Sequence, residues 1–328
     1  MSSSTEAAFR GCILGLAAGD ALGFPPEFRS RAQILKSFGP AGIRDLIALQ
    51  DERWPGVPFI AGRAHPPGTY SDDTQMTLAL AHGLRDAQDL RDVDGVMKCI
   101  AGHFVEWSRS DDNDRAPGNA CMTGCSKLAQ GVPWREAGVA DSKGCGSAMR
   151  VAPIGLVYAK ERDTLLDVAR ASSVLTHGHS AGIEGAAAAA LLVALAMEQT
   201  PPKAMWEALM EMAAGRSPDF EARLAQLPEM MSQPPEVALS SAGLGESWVA
   251  EEAIASALYC FWRAPDSLEE ALVMAANTDG DSDSIACIAG SIAGAFHGVD
   301  AIPARWLEKL ENREGLVAVA DELAELAL

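Results

Sequence analysis

Residues 11–23 read GCILGLAAGDALG, and residues 286–298, near the other end of the chain, read ACIAGSIAGAFHG. A small residue recurs at every fourth position of both stretches: Gly11, Gly15, Gly19 and Gly23, then Ala286, Gly290, Gly294 and Gly298. On an α-helix this spacing places the small residues in one stripe along one face of the helix.

A stripe of glycines is unfavourable in a helix, because each glycine costs about 1 kcal/mol relative to alanine. It is tolerated where another backbone must come very close. We therefore predict that these two helices pack tightly, against each other or against common neighbours. A dimerisation motif of membrane helices has the same spacing and is the less favoured interpretation.

The rest of the chain also has helical character, with polar residues at helical rather than alternating spacing. Helices are predicted over Ala8–Leu22, Thr74–Arg85, Val93–Arg109, Ala148–Lys160, Ala181–Glu198, Met205–Ala213, Ser247–Phe261, Leu268–Ala276, Ser284–His297 and Leu316–Leu326. Strand patterns are nearly absent, which disfavours a doubly wound sheet. The Pro- and Gly-rich stretches Gly39–Thr69 and Ser232–Gly245 are predicted surface loops that do not divide the chain. The prediction is one all-α domain over residues 1–328.

Composition narrows the classes of function. The 328 residues include 26 Lys and Arg against 45 Asp and Glu, which gives a formal net charge of −19. Such a chain repels phosphate backbones, so nucleic acid is not expected as a general partner. An anionic small ligand would need local positive charge, either from a metal ion or from helix N-termini.

The seven cysteines are scattered and include no C-x-x-C pair, which disfavours a structural zinc site. We expect reduced, mostly buried thiols in a cytoplasmic protein. The apolar run Gly11–Phe24 is interrupted by Asp20 and is shorter than the roughly 20 residues that span a bilayer. It is predicted to be a buried helix, not a signal peptide or membrane anchor. The Ala-rich run Gly185–Met197 is also too short to span.

The first motif with chemical potential is Ser71-Asp72-Asp73-Thr74, directly before an apolar helix. Ser71 or Asp72 is a natural N-cap, and helix capping alone explains the motif. Two adjacent aspartates diverge on a regular helix, but at an irregular N-terminus they can converge with a hydroxyl on one point. Hard divalent cations prefer such oxygen clusters.

The second motif, residues 278–284, reads TDGDSDS and again precedes a helix. An EF-hand loop starting at Asp279 would need Gly at its sixth position and Glu at its twelfth, and the sequence has Ser284 and Gly290 there. A solvated acidic turn that caps the helix stays an alternative. The preferred interpretation is a metal site that uses Asp281, Asp283 and Ser284. Together the two motifs supply four carboxylates and two hydroxyls, which would balance two divalent cations.

Three further segments carry weaker signals. Residues 144–150, GCGSAMR, form a glycine-rich turn into a helix, which suits phosphate or sugar oxygens but is also an ordinary tight turn. The segment Thr176-His177-Gly178-His179 lacks partners at zinc spacing, so packing, capping or ligand contact is favoured. Residues 19–23, GDALG, followed by Glu27, also read as an ordinary helix end.

In this order the five segments resemble the ADP-ribosylglycohydrolase family, which includes the dinitrogenase reductase-activating glycohydrolases and the ADP-ribosyl-acceptor hydrolases. The resemblance runs from about Gly11 to Gly298. It implies a compact orthogonal helical bundle with a binuclear magnesium or manganese site at helix N-termini. The ligands it implies are Ser71, Asp72, Asp73, Asp281, Asp283 and Ser284.

The resemblance also implies a substrate and a set of contacts. The reaction would be metal-dependent release of ADP-ribose, with Glu27 as general base or acid and Asp73 and Asp283 in the catalytic centre. The implied substrate contacts are Gly118, Asn119, Gly144, Gly146, Ser147, Met149 and His177. Some relatives have Asn and Gly where Cys145 and Ser147 stand, so the fine shape of the ligand pocket is not determined by the match.

The expected partners are ADP-ribose and an ADP-ribosylated protein. The expected acceptor is arginine, with serine or a nucleobase as alternatives. A non-catalytic ADP-ribose binder, a two-metal phosphohydrolase and a calcium-binding module are the rival functions. No membrane partner is expected, and a cognate ADP-ribosyltransferase is left open.

Overall fold

A computed structural model of the chain describes residues 3–53 and 63–328. These parts contain helices and two isolated β-bridges, Val139 with His177 and Gly144 with Val249, but no strand. The all-α prediction is confirmed. The α-helices are α1 (Ser3–Gly23), α2 (Arg31–Phe38), α3 (Asp72–Asp86), α4 (Val93–Ser108), α5 (Asn119–Ala129), α6 (Trp134–Ala137), α7 (Ala152–Val157), α8 (Arg162–Val174), α9 (Ser180–Met197), α10 (Pro202–Ala213), α11 (Pro218–Met230), α12 (Pro235–Ala238), α13 (Ala250–Arg263), α14 (Leu268–Ala276), α15 (Ser282–His297), α16 (Ala304–Leu307) and α17 (Arg313–Leu326), with 3₁₀ turns at Cys145–Ser147 and Val299–Ala301.

The glycine stripes of α1 and α15 face each other in antiparallel order, which confirms the predicted close packing. A Cβ at Gly11 would overlap the carbonyl oxygen of Gly294, and one at Gly15 would lie 2.5 Å from the carbonyl oxygen of Gly290. At the end of α1, a Cβ at Gly23 would overlap the backbone of α15 at its first residues. The stripe therefore positions the C-terminus of α1 against the N-terminus of α15.

One predicted helix is wrong in extent. The segment Ala148–Lys160 contains only α7, which is preceded by the 3₁₀ turn at Cys145–Ser147. Pro153 occupies the second position of α7. Proline is favourable in a first helical turn but would break a helix that had begun earlier.

The 13-residue helices α8 and α11 were not predicted, since α8 is rich in charge and α11 begins at Pro218 and contains Pro228. The described parts of Gly39–Thr69 after α2, residues 39–53 and 63–69, contain no helix, as expected, and the middle of that stretch lies outside the described residues. The predicted loop Ser232–Gly245 holds only the short helix α12.

The Ala-rich helix α9 lies in the core. It has 18 residues and is apolar enough to cross a membrane by length and composition, so the apolar run is longer than predicted. In the structure 83% of this helix is buried, which is the position of a core helix. All seven cysteines are free thiols and six of them are buried, as expected for a chain with no disulfide framework.

Candidate active site

Asp20 connects the glycine-striped helix α1 to the start of α3. Its carboxylate accepts hydrogen bonds from the backbone N–H groups of Ser71 at 2.8 Å and Thr74 at 3.0 Å, and from the Thr74 hydroxyl at 2.5 Å. The side chain is fully buried, and this burial raises its pKa to about 6 against the lowering effect of the hydrogen bonds. Asp20 thus fixes the orientation of the Ser71-Asp72-Asp73-Thr74 motif.

The N-terminus of α15 is attached to the same helix. The Ser282 hydroxyl donates to the carbonyl oxygen of Gly23 at 2.8 Å. Asp281 is the N-cap of α15 and accepts from the backbone N–H of Ser284 at 3.3 Å. Both aspartate motifs are therefore helix N-termini held by α1, where the helix dipole favours negative charge.

Glu27 joins the carboxylates of α15 just beyond the end of α1. Glu27, Asp281 and Asp283 each offer an oxygen, and the three atoms lie within 4.8 Å of one another. Buried oxygens of Glu27, Asp73 and Asp283 (Oε2, Oδ2 and Oδ1) have no hydrogen-bond partner. Unpaired buried carboxylates are costly. A hard divalent cation satisfies such oxygens, and these residues fit one.

The electrostatics of the cluster agree with that fit. Burial raises the pKa of Glu27, Asp73 and Asp283 well above the ordinary range, and repulsion from neighbouring carboxylates raises it further. Burial also raises the pKa of Asp72, although the backbone N–H of Gly118 donates to its carboxylate. Bound cations would lower these pKa values, because opposite charge favours the ionised form.

A cavity of about 770 Å³ opens above this cluster. Its volume lies in the range of small-molecule and cofactor sites. Twelve of the predicted site residues line it: Glu27, Asp72, Asp73, Gly118, Asn119, Gly144, Gly146, Met149, His177, Asp281, Asp283 and Ser284. The structure thus brings together segments that are separated by more than 250 residues.

Two predicted site residues, Ser71 and Ser147, do not line the cavity. Ser71 is the fully buried N-cap of α3 and accepts from the backbone N–H of Asp73 at 3.2 Å. The Ser147 hydroxyl donates to the carbonyl oxygen of Gly182 at 3.0 Å, so this side chain supports the glycine loop from behind. Only the backbone of Ser147 stays a predicted substrate contact.

The glycine loop is shaped by the residues beneath it. A Cβ at Gly146 would lie 2.8 Å from Cys121 Sγ and 3.1 Å from His177 Cε1, so a larger residue would displace one of them. Burial, with the nearby charge of Arg150, lowers the pKa of His177 to about 3, and the imidazole is neutral at pH 7. His177 is therefore a hydrogen-bonding group rather than a general acid.

A chain of hydrogen bonds orients His177. The buried guanidinium of Arg150 donates to the Thr176 hydroxyl at 2.7 Å, and that hydroxyl lies 2.8 Å from His177 Nδ1. We assign the hydroxyl proton to the bond with Nδ1, which leaves the imidazole proton on Nε2. Nε2 faces Gly144, where a Cβ would lie 3.2 Å away. The result is a neutral N–H donor beside the glycine loop.

Several lining residues were not predicted. Cys145 Sγ donates to Asp281 Oδ2 at 2.8 Å, so a thiol positions one of the proposed metal ligands. Asp114 and Cys121 contribute to the wall, and Phe28 and Trp248 form the mouth. Of the positioning residues outside the lining, Asp20 had a signal in the sequence, since it is a charged residue within an apolar helical run.

A family model described as ADP-ribosylglycohydrolase matches residues 1–328. The chain belongs to the ADP-ribosylglycohydrolase family. Human ADP-ribosylhydrolase ARH3 is 30% identical to this glycohydrolase over 355 residues, which cover 96% of this chain and 92% of the human protein. ADP-ribosylarginine hydrolase Tri1 of Serratia proteamaculans is 26% identical and covers 97% of this chain and 79% of its own length.

A solved structure described as an ADP-ribosylglycohydrolase-related protein complex matches with a TM-score of 0.78 and 28% identity, and both chains are covered completely. The resemblance drawn from the motifs is therefore confirmed. The protein is an enzyme, an ADP-ribosylglycohydrolase, that hydrolyses the glycosidic bond between ADP-ribose and an acceptor.

Proposed function

We propose that this glycohydrolase removes ADP-ribose from arginine side chains of proteins. One observation carries the choice of acceptor: among the described residues, the cavity wall contains six carboxylates and no lysine or arginine. The six are Glu27, Asp72, Asp73, Asp114, Asp281 and Asp283. An ADP-ribosylated guanidinium is cationic at neutral pH, whereas ADP-ribosylated serine carries no charge on its acceptor. An acidic cavity favours the cationic conjugate.

The cavity stays negatively charged after two divalent cations bind, so it still favours a cationic acceptor. Five of the carboxylates belong to the cluster around Glu27, and two divalent cations would bring four positive charges. Asp114 adds a sixth carboxylate to the wall, but Arg63 pairs with it at 3.3 Å, so the excess negative charge comes from the cluster. The name of the Serratia relative, which specifies ADP-ribosylarginine, supports the same acceptor.

We propose that Ser71, Asp72, Asp73, Asp281, Asp283 and Ser284 hold two magnesium or manganese ions. The unpaired oxygens of Asp73 and Asp283 support this assignment. When bound, such ions supply Lewis acidity toward ribose hydroxyls and water. Asp20 and Cys145 are positioning residues for the two aspartate motifs.

The reaction adds one water across the bond between C1 of the distal ribose and the guanidine nitrogen. The water oxygen bonds to C1 as the C–N bond breaks, and Glu27 takes the water proton and returns it to the leaving nitrogen. Backbone N–H groups of Gly144, Gly146 and Ser147 would hold the diphosphate. Gly118, Asn119 and Met149 would border the nucleotide, and the neutral His177 would donate from Nε2 to the sugar.

The test uses two modified proteins, one ADP-ribosylated on arginine and one on serine, each incubated with Mg²⁺, Mn²⁺ or EDTA. Mass spectrometry identifies the products. We expect metal-dependent release of intact ADP-ribose from arginine at the higher rate. Release of ADP-ribose from serine alone would refute arginine as the acceptor. Release of AMP would show that the enzyme cleaves the diphosphate instead.

A further inference from the structure

Two aromatic rings stand at the mouth of the cavity. Phe28 and Trp248 stack with ring centroids 5.0 Å apart and an angle of 21° between the planes. Their exposures of 45% and 37% place them among the three exposed large hydrophobic residues of the described chain. The third, Val237, lies outside the cavity lining. The exposure of large apolar groups is therefore concentrated at the entrance to the site.

Each ring is attached to a segment that carries the chemistry. Phe28 directly follows Glu27, and its backbone N–H donates to the carbonyl oxygen of Gly280, next to Asp281, at 3.4 Å. The carbonyl oxygen of Trp248 accepts from the backbone N–H of Cys145 at 3.3 Å. The rings therefore lie beside the carboxylate cluster and the first turn of the glycine loop.

The backbone at Phe28 is strained. Its φ of +62° lies in the left-handed region, which is unfavourable for a bulky side chain. Strain of this kind clusters at functional sites, where it aims a group in a required direction. Here it turns the aromatic ring to the cavity mouth and the Glu27 carboxylate into the cluster.

We propose that the Phe28–Trp248 pair is the acceptor subsite, and that it binds the guanidinium of the modified arginine. This inference rests on the proposed function. The bond to be cleaved lies at the carboxylates, so the group on the mouth side of that bond is the acceptor. A planar guanidinium stacks on the face of an aromatic ring, with tryptophan as the strongest partner. Adjacent carboxylates reinforce the preference for a cation.

Stacking of adenine is the competing use of an aromatic surface. Adenine lies at the opposite end of ADP-ribose from the cleaved bond. Phe28 directly follows Glu27, which acts at the cleaved bond. A ring that stacks on adenine would have to lie at the far end of ADP-ribose from that bond. The position of Phe28 in the chain therefore favours the acceptor.

The test compares Trp248→Ala and Phe28→Gly with the control Val237→Ala. Glycine adopts positive φ without strain, so Phe28→Gly removes the ring and keeps the backbone. We expect kcat/KM on the arginine conjugate to fall about tenfold, mainly through KM, in both ring variants. The Kd for ADP-ribose measured by calorimetry should stay within about twofold, because ADP-ribose has no acceptor. Trp248→Phe should retain most of the activity, and Val237→Ala all of it.

A second measurement separates this inference from the proposed function. Arginine amide and its neutral isostere citrulline amide are titrated into the ADP-ribose complex of the wild type and of Trp248→Ala. Binding of arginine amide alone, lost in the variant, supports the subsite even if the arginine conjugate is not hydrolysed. Weaker binding of ADP-ribose to the variant, or equal binding of both amides, would overturn it.

Discussion

The interface between α1 and α15 and the cavity at its end are built from the same two helices, yet they are opposites. Along the interface, Gly11, Gly15 and Gly19 bring the backbone of α1 into direct contact with that of α15. At the end of the interface, Asp73, Asp283 and Glu27 hold buried oxygens without partners. The difference shows where stability and function are located. The interface holds α1 and α15 rigidly together. The cavity holds buried carboxylates in positions that are unfavourable without a cation.

The contrast has a physical basis. Buried like charges repel strongly and would separate if their supports could move. Backbone contact at four successive positions of α1, from Gly11 to Gly23, leaves no flexible side chain between the two helices. Asp20 extends the same rigidity to α3 through three hydrogen bonds. The cluster is therefore preorganised for cations before any cation binds.

The largest expected effect comes from Asp283→Asn. Removing one carboxylate should lower kcat by at least about 10³-fold and abolish Mn²⁺ binding, since both depend on this oxygen. The metal-free protein should be at least as stable as the wild type, because an unpaired buried charge is removed. Calorimetry with Mn²⁺ and urea unfolding in EDTA measure the two effects. Full activity of the variant would show that Asp283 is not part of the catalytic centre. An unfolded variant would show that Asp283 is required for the fold.

The second largest effect is expected from a substitution that disturbs the packing of α1 against α15. Gly294→Ala places a methyl group on the carbonyl oxygen of Gly11 and should destabilise the protein by about 3 kcal/mol. The matched control is Gly102→Ala in α4, where a Cβ meets nothing within 4 Å and a gain of up to about 1 kcal/mol is expected. Urea unfolding measures both. Equal effects in the two variants would mean that the glycine stripe does not determine the packing.

The smallest effect is the dependence of stability on pH. Burial raises the pKa of Glu27, Asp72, Asp73 and Asp283 in the folded protein, so their protonated forms favour folding. That stability is present at low pH and is lost as pH rises through the raised folded pKa values. In EDTA, Tm should therefore be higher at pH 6.5 than at pH 8.5, by about 2 °C or more.

Metal should reverse this pH dependence. The increase in Tm on adding Mn²⁺ is expected to be larger at pH 8.5 than at pH 6.5, because fewer protons then compete with the cation for the carboxylates. Below pH 6.5, His177 should make the protein less stable as the pH falls. Its lowered pKa keeps the imidazole neutral in the folded protein, whereas the unfolded chain takes up a proton there. A Tm in EDTA that does not change between pH 6.5 and 8.5 would show that the carboxylates are already paired in the metal-free protein.

The sequence was informative wherever a physical requirement leaves a local pattern. Close backbone approach requires small residues at helical spacing, so tight packing of both glycine-striped helices could be predicted. The sequence left open whether they contact each other or common neighbours, and the pairing of Gly11 with Gly294 comes from the structure. Helix N-termini with clustered acids could be recognised in the same way. No local pattern marks Phe28 or Trp248, because their stacking is a tertiary contact over 220 residues of chain. The sequence predicts a substrate contact at Ser147 but does not show that the tight turn directs its hydroxyl to Gly182, away from the cavity.

The antiparallel contact of α1 with α15 also has a consequence for the order of events during synthesis. Gly294 leaves the ribosome 283 residues after its partner Gly11. Until then Asp72 and Asp73 lack both the contact of α1 with α15 and the neighbouring acids Asp281 and Asp283. A nascent chain can thus form local helices, but binding of the proposed cations and hydrolysis both begin only after residues 281–298 have been made.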